Sequence, residues 1–312
     1  MESDRPLPSQ AKVVGLVATF RRHQCLQRLL VALKLQTLPP VRVLVVDNGD
    51  CAETLRVCEE AGLEVEYLTS PANLGCGDGL RQAECRLLEW QGEWTHAWIL
   101  DDDVVPGPDA ASRLVEALEV SATGLAAPLL IDAQGQMWAF PEPCDKAQRA
   151  SIRESVDPGR VWHVFGSTPR RCCWATGACQ MVTRKALEQV GPHRADFWLL
   201  GEDLEFSMRI ASQCGACFIA DQHVPHVPPA PADEAQATLA GYRKFLSLLQ
   251  NLSYLGFRCP HSFHMWRYVP GNFKRFFLTE GVTFKTVRDA MGCFWRGAVV
   301  GRPFGFRVGE PR

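Results

Sequence analysis

Apolar runs alternate with amphipathic stretches through the first hundred residues. VVGLVATF (13–20) is continuously apolar, as expected of a strand covered on both faces. CLQRLLVALKLQ (25–36) then repeats apolar residues at helical spacing and stops before Pro39 and Pro40. The alternation recurs: a strand at VRVLVVDN (41–48), a helix at 52–62 closed by Gly62, and a strand at LEVEYLTS (63–70). The glycine-rich NLGCGDG follows, then a helix at 79–90 and a strand at THAWIL (95–100). Strands and helices of this length in alternation predict an α/β domain with a mostly parallel sheet.

Beyond about 125 the pattern shortens and mixes, with strands and loops expected around AAPLLIDAQGQ and FPEPCD. Helical spacing returns at 183–191 and 202–215, and ACFIADQHVPHV reads as a strand. VPPAPAD (227–233) has the composition of a linker, and 237–254 is amphipathic and helical. These signals divide the chain into an α/β domain (1–230) and a helical, basic and aromatic extension (231–312). Within the domain, 12–105 and 106–230 form two halves.

In parallel α/β sheets, ligands bind beyond the carboxyl ends of the strands. Thr19, Asp47, Asn73 and Asp101–Asp103 all fall at or just past such ends. The segment HAWILDDDVV (96–105) is the most demanding of these, because adjacent carboxylates repel and burying one is costly without a compensating cation. An exposed turn with helix-capping aspartates is the ordinary alternative. A divalent cation offers another answer, since hard ions take oxygen ligands. Asp101 and Asp103, on alternate positions, point the same way and can share one ion, while Asp102 faces elsewhere.

The net charge is −2, from 33 Lys and Arg against 35 Asp and Glu, which disfavours nucleic acid as the main partner. From Tyr242 onward there are 12 basic and 3 acidic residues, so the extension is basic and the remainder acidic. The 13 cysteines lack the paired spacing of a zinc site. The opening MESDRPLPSQ lacks a secretory pattern and no apolar stretch is long enough to span a bilayer. Reduced cysteines in a cytoplasmic protein are the expectation.

Several segments together resemble family 2 of the inverting glycosyltransferases, enzymes of the GT-A nucleotide-sugar fold, and in particular the galactofuranosyl- and rhamnosyltransferase branch. LVATFRR, VVDNG, NLGCGDG, ILDDDV, WATGACQMVTRKALEQVG, LLGEDLEFSMRI and ADQHVPH carry the resemblance in the right order over some 200 residues. Two departures stand out. Cys76 replaces a glycine of the family's Asn-x-Gly-Gly loop, and DCAET follows VVDNG where a polar-Asp-Thr turn is common.

The resemblance implies a metal-dependent transfer from a UDP- or dTDP-sugar, such as galactofuranose or rhamnose, to a glycan or lipid-linked glycan in cell-surface polysaccharide synthesis. It implies Mn²⁺ or Mg²⁺ held by Asp101, Asp103 and His226, with His223 a competitor in the same short segment. Thr19, Arg21, Asp47, Asn73 and Asp102 are expected on the donor side, and Trp174, Trp198 and Glu202 on the acceptor side. Asp203 is the expected general base, at a helix N-terminus whose dipole keeps carboxylates ionised. Core packing of both tryptophans is an equally ordinary fate.

Two other readings compete. A sugar nucleotidyltransferase would need a glycine-rich basic loop after the first strand, which ATFRRHQ does not supply. A non-catalytic carbohydrate-binding or scaffold protein would not need both acidic motifs. In the extension, Trp266, Phe273, Phe276, Phe277, Phe294 and Trp295 are interleaved with Lys and Arg. That pattern suits a peripheral contact with an anionic membrane surface on the inner face. RNA binding, or simple packing on the catalytic domain, are the alternatives.

Overall fold

The computed structural model describes residues 11–70, 72–139, 141–148, 157–229 and 234–304. The chain divides into two units. The first takes in residues up to 73, 79–192 and 206–229; the second takes in 74–78, 193–205 and 230 onward. The expected linker VPPAPAD lies for its larger part outside the described residues.

The first unit opens with β1 (Val13–Thr19), α1 (His23–Lys34), β2 (Arg42–Asp47), α2 (Ala52–Glu60), β3 (Val65–Thr69), α3 (Gly75–Glu89) and β4 (His96–Asp101). β3, β2, β1 and β4 lie side by side, every pairing parallel. The register aligns Thr19 with Asp47 and Asp47 with Thr69, while Ala18 faces Asp101. The polar strand ends therefore share one rim. The reason is burial: β1, β2 and β4 bury nearly every side chain, so the first tolerated polar residue is the one leaving the sheet. α1 buries Cys25, Leu26, Leu29, Leu30 and Leu33, the stripe its spacing predicts.

The next elements are α4 (Ala110–Ser121), β5 (Leu125–Ile131), β6 (Met137–Ala139), β7 (Glu142–Pro143), α5 (Pro158–Phe165), β8 (Arg170–Trp174), β9 (Cys179–Thr183), α6 (Arg184–Val190), α7 (Glu202–Cys214) and β10 (Ala216–Pro225). β9 inserts antiparallel between β4 and β5, β10 runs parallel to β5, and β8 and β7 continue antiparallel to the edge. The sheet is thus parallel in its first half and mixed in its second. α4 is an addition to the expected elements; its buried face includes three alanines, which mark an apolar stripe weakly.

The second unit contains α8 (Glu234–Arg258), a 3₁₀ segment (Pro260–Tyr268), α9 (Val269–Glu280), α10 (Phe284–Phe294) and a π turn (Trp295–Val300). It also holds the first turns of α3 and α7. α3 begins four residues before the helix expected from spacing, inside the glycine-rich loop. A Cβ on Gly75 would stand 2.0 Å from the Trp198 carbonyl oxygen, and one on Gly77 2.3 Å from that of Phe197. These glycines admit the 197–198 backbone, which bulkier residues would push away.

Candidate active site

The acidic loop after β4 is stitched to the end of β10 by backbone hydrogen bonds. Val105 N donates to the Pro225 carbonyl at 2.9 Å, and Val227 N donates to the Asp103 carbonyl at 2.8 Å. Between them Val104 and His226 form an antiparallel bridge. This pairing sets His226 beside Asp103, with Nε2 3.2 Å from Asp103 Oδ1. His223 pairs with Leu129 in the strand, and its Nε2 lies 3.0 Å from the Ala220 carbonyl. Ligand atoms of Asp101, Asp103 and His226 lie within 4.8 Å of one another.

Arg22 answers for much of the clustered charge. Its Nη1 donates to Asp102 Oδ1 at 3.0 Å and to Asp103 Oδ2 at 2.8 Å. Thr19 Oγ1 donates to the other Asp102 oxygen at 2.6 Å. Burial opposes the Arg22 charge, but Asp102 and Asp103 outweigh it and raise its pKa. For Asp102 burial wins and raises the pKa against the pull of Arg22 and Thr19. For Asp103 burial is outweighed by His226 and Arg22, and the pKa falls. Burial thus dominates at Asp102, and the neighbouring groups together dominate at Asp103.

The fit of this cluster to a divalent cation is testable on its own atoms. His226 Nδ1 is buried and makes no hydrogen bond, and the buried Asp103 Oδ1 has His226 Nε2 as its close neighbour. Such atoms are costly to leave unsatisfied, and two carboxylates plus an imidazole are a donor set that Mn²⁺ accepts. The Trp138 ring stacks on His226 at 3.8 Å between centroids, 18° from parallel, and so covers and orients the imidazole.

The other expected residues are distributed as follows. Arg21 takes a left-handed φ of 54° and lays its guanidinium over Phe20, 5.3 Å from the ring centre. Asp47 is buried, accepting from Gly49 N and Cys51 N at 2.8 Å each and from the Tyr67 hydroxyl at 2.9 Å; it holds the turn between β2 and α2. Burial and Asp47 together raise the Tyr67 pKa. Asn73 lies in the loop before α3, and Trp174 ends β8 with its indole N–H buried and unbonded. The structure thus gathers Thr19, Asp101, Asp102, Asp103 and His226 around Arg22, and does not add Arg21 or Asp47 to that cluster.

Trp198, Glu202 and Asp203 belong to the second unit. Leu200 and Gly201 both have positive φ, 62° and 101°, and turn the chain into α7, where Asp203 Oδ1 accepts from Leu204 N at 2.8 Å. The turn is clamped from α8. Ser247 Oγ donates to the Leu199 carbonyl at 2.6 Å, and Asn251 Nδ2 donates to the carbonyls of Leu199, at 3.1 Å, and Leu200. Asn251 Oδ1 in turn accepts from Phe304 N at 2.6 Å.

A parallel βαβ half with acidic residues on its carboxyl rim and a facing histidine is the arrangement of the GT-A fold. Residues 16–149 match the model of glycosyl transferase family 2. A relative from Mycobacterium tuberculosis, N-acetylglucosaminyl-diphospho-decaprenol L-rhamnosyltransferase, is 26% identical over 215 residues, spanning 64% of this chain and 70% of the relative. Among solved structures, S. aureus TarS 1-349 with UDP-GlcNAc aligns with a TM-score of 0.59 at 14% identity, covering 92% of this chain and 81% of that one. The mannosyltransferase PcManGT of Pyrobaculum calidifontis, with GDP-Man and Mn²⁺, aligns with a TM-score of 0.53 at 17% identity over 93% and 77%. The protein is a glycosyltransferase.

Proposed function

We propose that the protein transfers a sugar, with inversion, from a UDP- or dTDP-linked donor to a hydroxyl of a glycan or lipid-linked glycan during cell-surface polysaccharide synthesis. The observation that carries this reading is the convergence of Asp101, Asp103 and His226 on the carboxyl rim of the parallel strands. The name of the M. tuberculosis relative, which sets a lipid-diphosphate sugar as acceptor, supports the acceptor class.

Asp101, Asp103 and His226 would hold Mn²⁺ or Mg²⁺, and such an ion neutralises diphosphate charge as the glycosidic bond breaks. Asp102 fixes the loop through Thr19 and Arg22, so that its neighbours keep their aim. Asp47 retains acceptor capacity beyond its three hydrogen bonds and would meet the N3–H of a pyrimidine base. Asn73 and Arg21 would contact nucleoside and phosphate, and Trp174, Trp198 and Glu202 the acceptor. Asp203 would take the proton from the acceptor hydroxyl as its oxygen attacks the anomeric carbon. One carboxylate and one displacement leave no covalent sugar intermediate, hence inversion.

Two variants test this together against a panel of UDP-, dTDP- and GDP-sugars with Mn²⁺. Asp203→Asn should lower turnover by about 10²–10⁴-fold with donor affinity nearly unchanged, the pattern of an interaction made in the transition state. Asp103→Ala should abolish Mn²⁺-dependent donor binding in a folded protein. Parental donor affinity in Asp103→Ala would remove the metal assignment, and parental turnover in Asp203→Asn, or a retained anomer, would remove the base. Donor binding without any turnover in the parent would favour the carbohydrate-binding reading.

A further inference from the structure

Among the described residues the three most exposed large apolar side chains are Phe284 (86%), Leu278 (77%) and Val282 (75%), and they fall within seven positions. They frame the turn between α9 and α10, and that turn is held firmly. Gly281, at φ 75°, closes α9 through its N–H to the Phe277 carbonyl at 3.0 Å. Thr283 caps α10: its Oγ1 accepts from Thr286 N at 3.1 Å, while Thr286 Oγ1 accepts from Thr283 N at 2.8 Å. Thr286 Oγ1 also donates to the Gly281 carbonyl at 2.9 Å. A fixed turn holding its apolar side chains in water calls for a partner.

The surface differs from the one the sequence pointed to. Phe276 is buried, and Phe273, Phe277 and Phe294 pack ring to ring between the helices, with centroids 5.4–6.2 Å apart among the four. Those rings form the interior of the hairpin, leaving its tip to Leu278, Val282 and Phe284. Lys274 and Arg275 on α9, and Lys285 and Arg288 on α10, are exposed beside the tip. From Arg258 to Arg302 there are eight basic residues and two acidic ones, Glu280 and Asp289. Asp289 engages Lys285 at 3.2 Å and Arg288 at 2.9 Å, which leaves the α9 pair with the larger unbalanced charge.

We propose that the hairpin tip, Leu278 to Phe284, inserts into the interfacial layer of an anionic lipid bilayer, with Lys274, Arg275, Lys285 and Arg288 at the level of the headgroups. Three side chains fall well short of the roughly 800 Å² per partner that a stable protein interface buries, which disfavours a second copy of the chain. A bilayer interface accepts a small apolar tip backed by cations, and the attraction is sensitive to salt. No helix among the described residues is long and apolar enough to cross a membrane, so the contact is with one face. Lipid binding is measured without a sugar donor, so its outcome is independent of the transfer chemistry proposed above.

The test is co-sedimentation of the full chain with phosphatidylcholine vesicles, with and without phosphatidylglycerol. Binding should require the anionic lipid, weaken as salt rises, and fall about tenfold or more in Leu278→Ser/Phe284→Ser. Both sites are solvent-facing, so the melting temperature should stay at the parental value and certify the fold. Phe284→Trp should show a blue-shifted indole emission on adding anionic vesicles, as expected of insertion rather than of charge attraction alone. The proposal is overturned if the parent ignores anionic vesicles at low salt, or if the Ser variant binds like the parent. It is equally overturned if those substitutions abolish a concentration-dependent dimer without changing lipid binding.

Discussion

His96, at the start of β4, shows how tightly the sheet grips the strand that delivers the acidic loop. It is buried, its Nδ1 lies 2.8 Å from Thr95 Oγ1, and burial pushes its pKa down to about 4. The unfolded chain protonates this imidazole near its ordinary value of about 6.5, while the folded one resists until about pH 4. Stability from this residue is therefore full above pH 6.5 and declines as pH falls through that window, by at most about 3 kcal/mol. Urea denaturation from pH 7 to pH 4 should show the decline, and His96→Gln should flatten it; an unchanged slope in the variant would mean other groups dominate. At this scale the sequence was partly legible. The acidic triplet and the histidine five residues after Asp221 stood out, but Arg22 did not, because the chain reverses at Arg21 through a positive φ that spacing cannot reveal. Trp138 was equally hidden: a lone exposed tryptophan acquires meaning only when His226 is found stacked on it.

Among elements, the turn into α7 depends most on its neighbours. Leu200 and Gly201 adopt positive φ, and the carbonyls of Leu199 and Leu200 find donors on α8, some fifty residues later in the chain. Asn251→Ala would leave the half-buried Leu200 carbonyl without its donor and Phe304 N without its acceptor, while Ser247 still serves the Leu199 carbonyl. Each unsatisfied group costs about 1–3 kcal/mol, so the denaturation midpoint should drop measurably, and turnover with it if Asp203 is the base. A midpoint equal to the parent's would show that water replaces the amide. β1, β2 and β4 were readable because burial on both faces leaves continuous apolar runs. The direction of β9 was not, since its five residues carry no mark of whether a neighbour runs with or against them. Nor was the true start of α3, where glycines that suit close packing look like a loop.

The sheet of the first unit is completed out of order. β9 pairs with β4 across a gap in sequence of about eighty residues, Leu100 facing Cys179 and His96 facing Thr183. It also borders β5, so neither inner edge closes until β9 arrives. A chain ending at residue 145 should therefore expose both edges and pellet on refolding, where the full chain stays in solution. If the shortened chain were soluble and monomeric, the parallel half would be an independent folding unit. Synthesis at roughly 5–20 residues per second separates β4 from β9 by about 4–16 s on the ribosome. During that interval a nascent chain presents open hydrogen-bonding edges beside its buried apolar strands. Cells making this enzyme must shield that half-built sheet, so its yield should respond to the supply of ribosome-associated chaperones more than the stability of the finished fold would suggest.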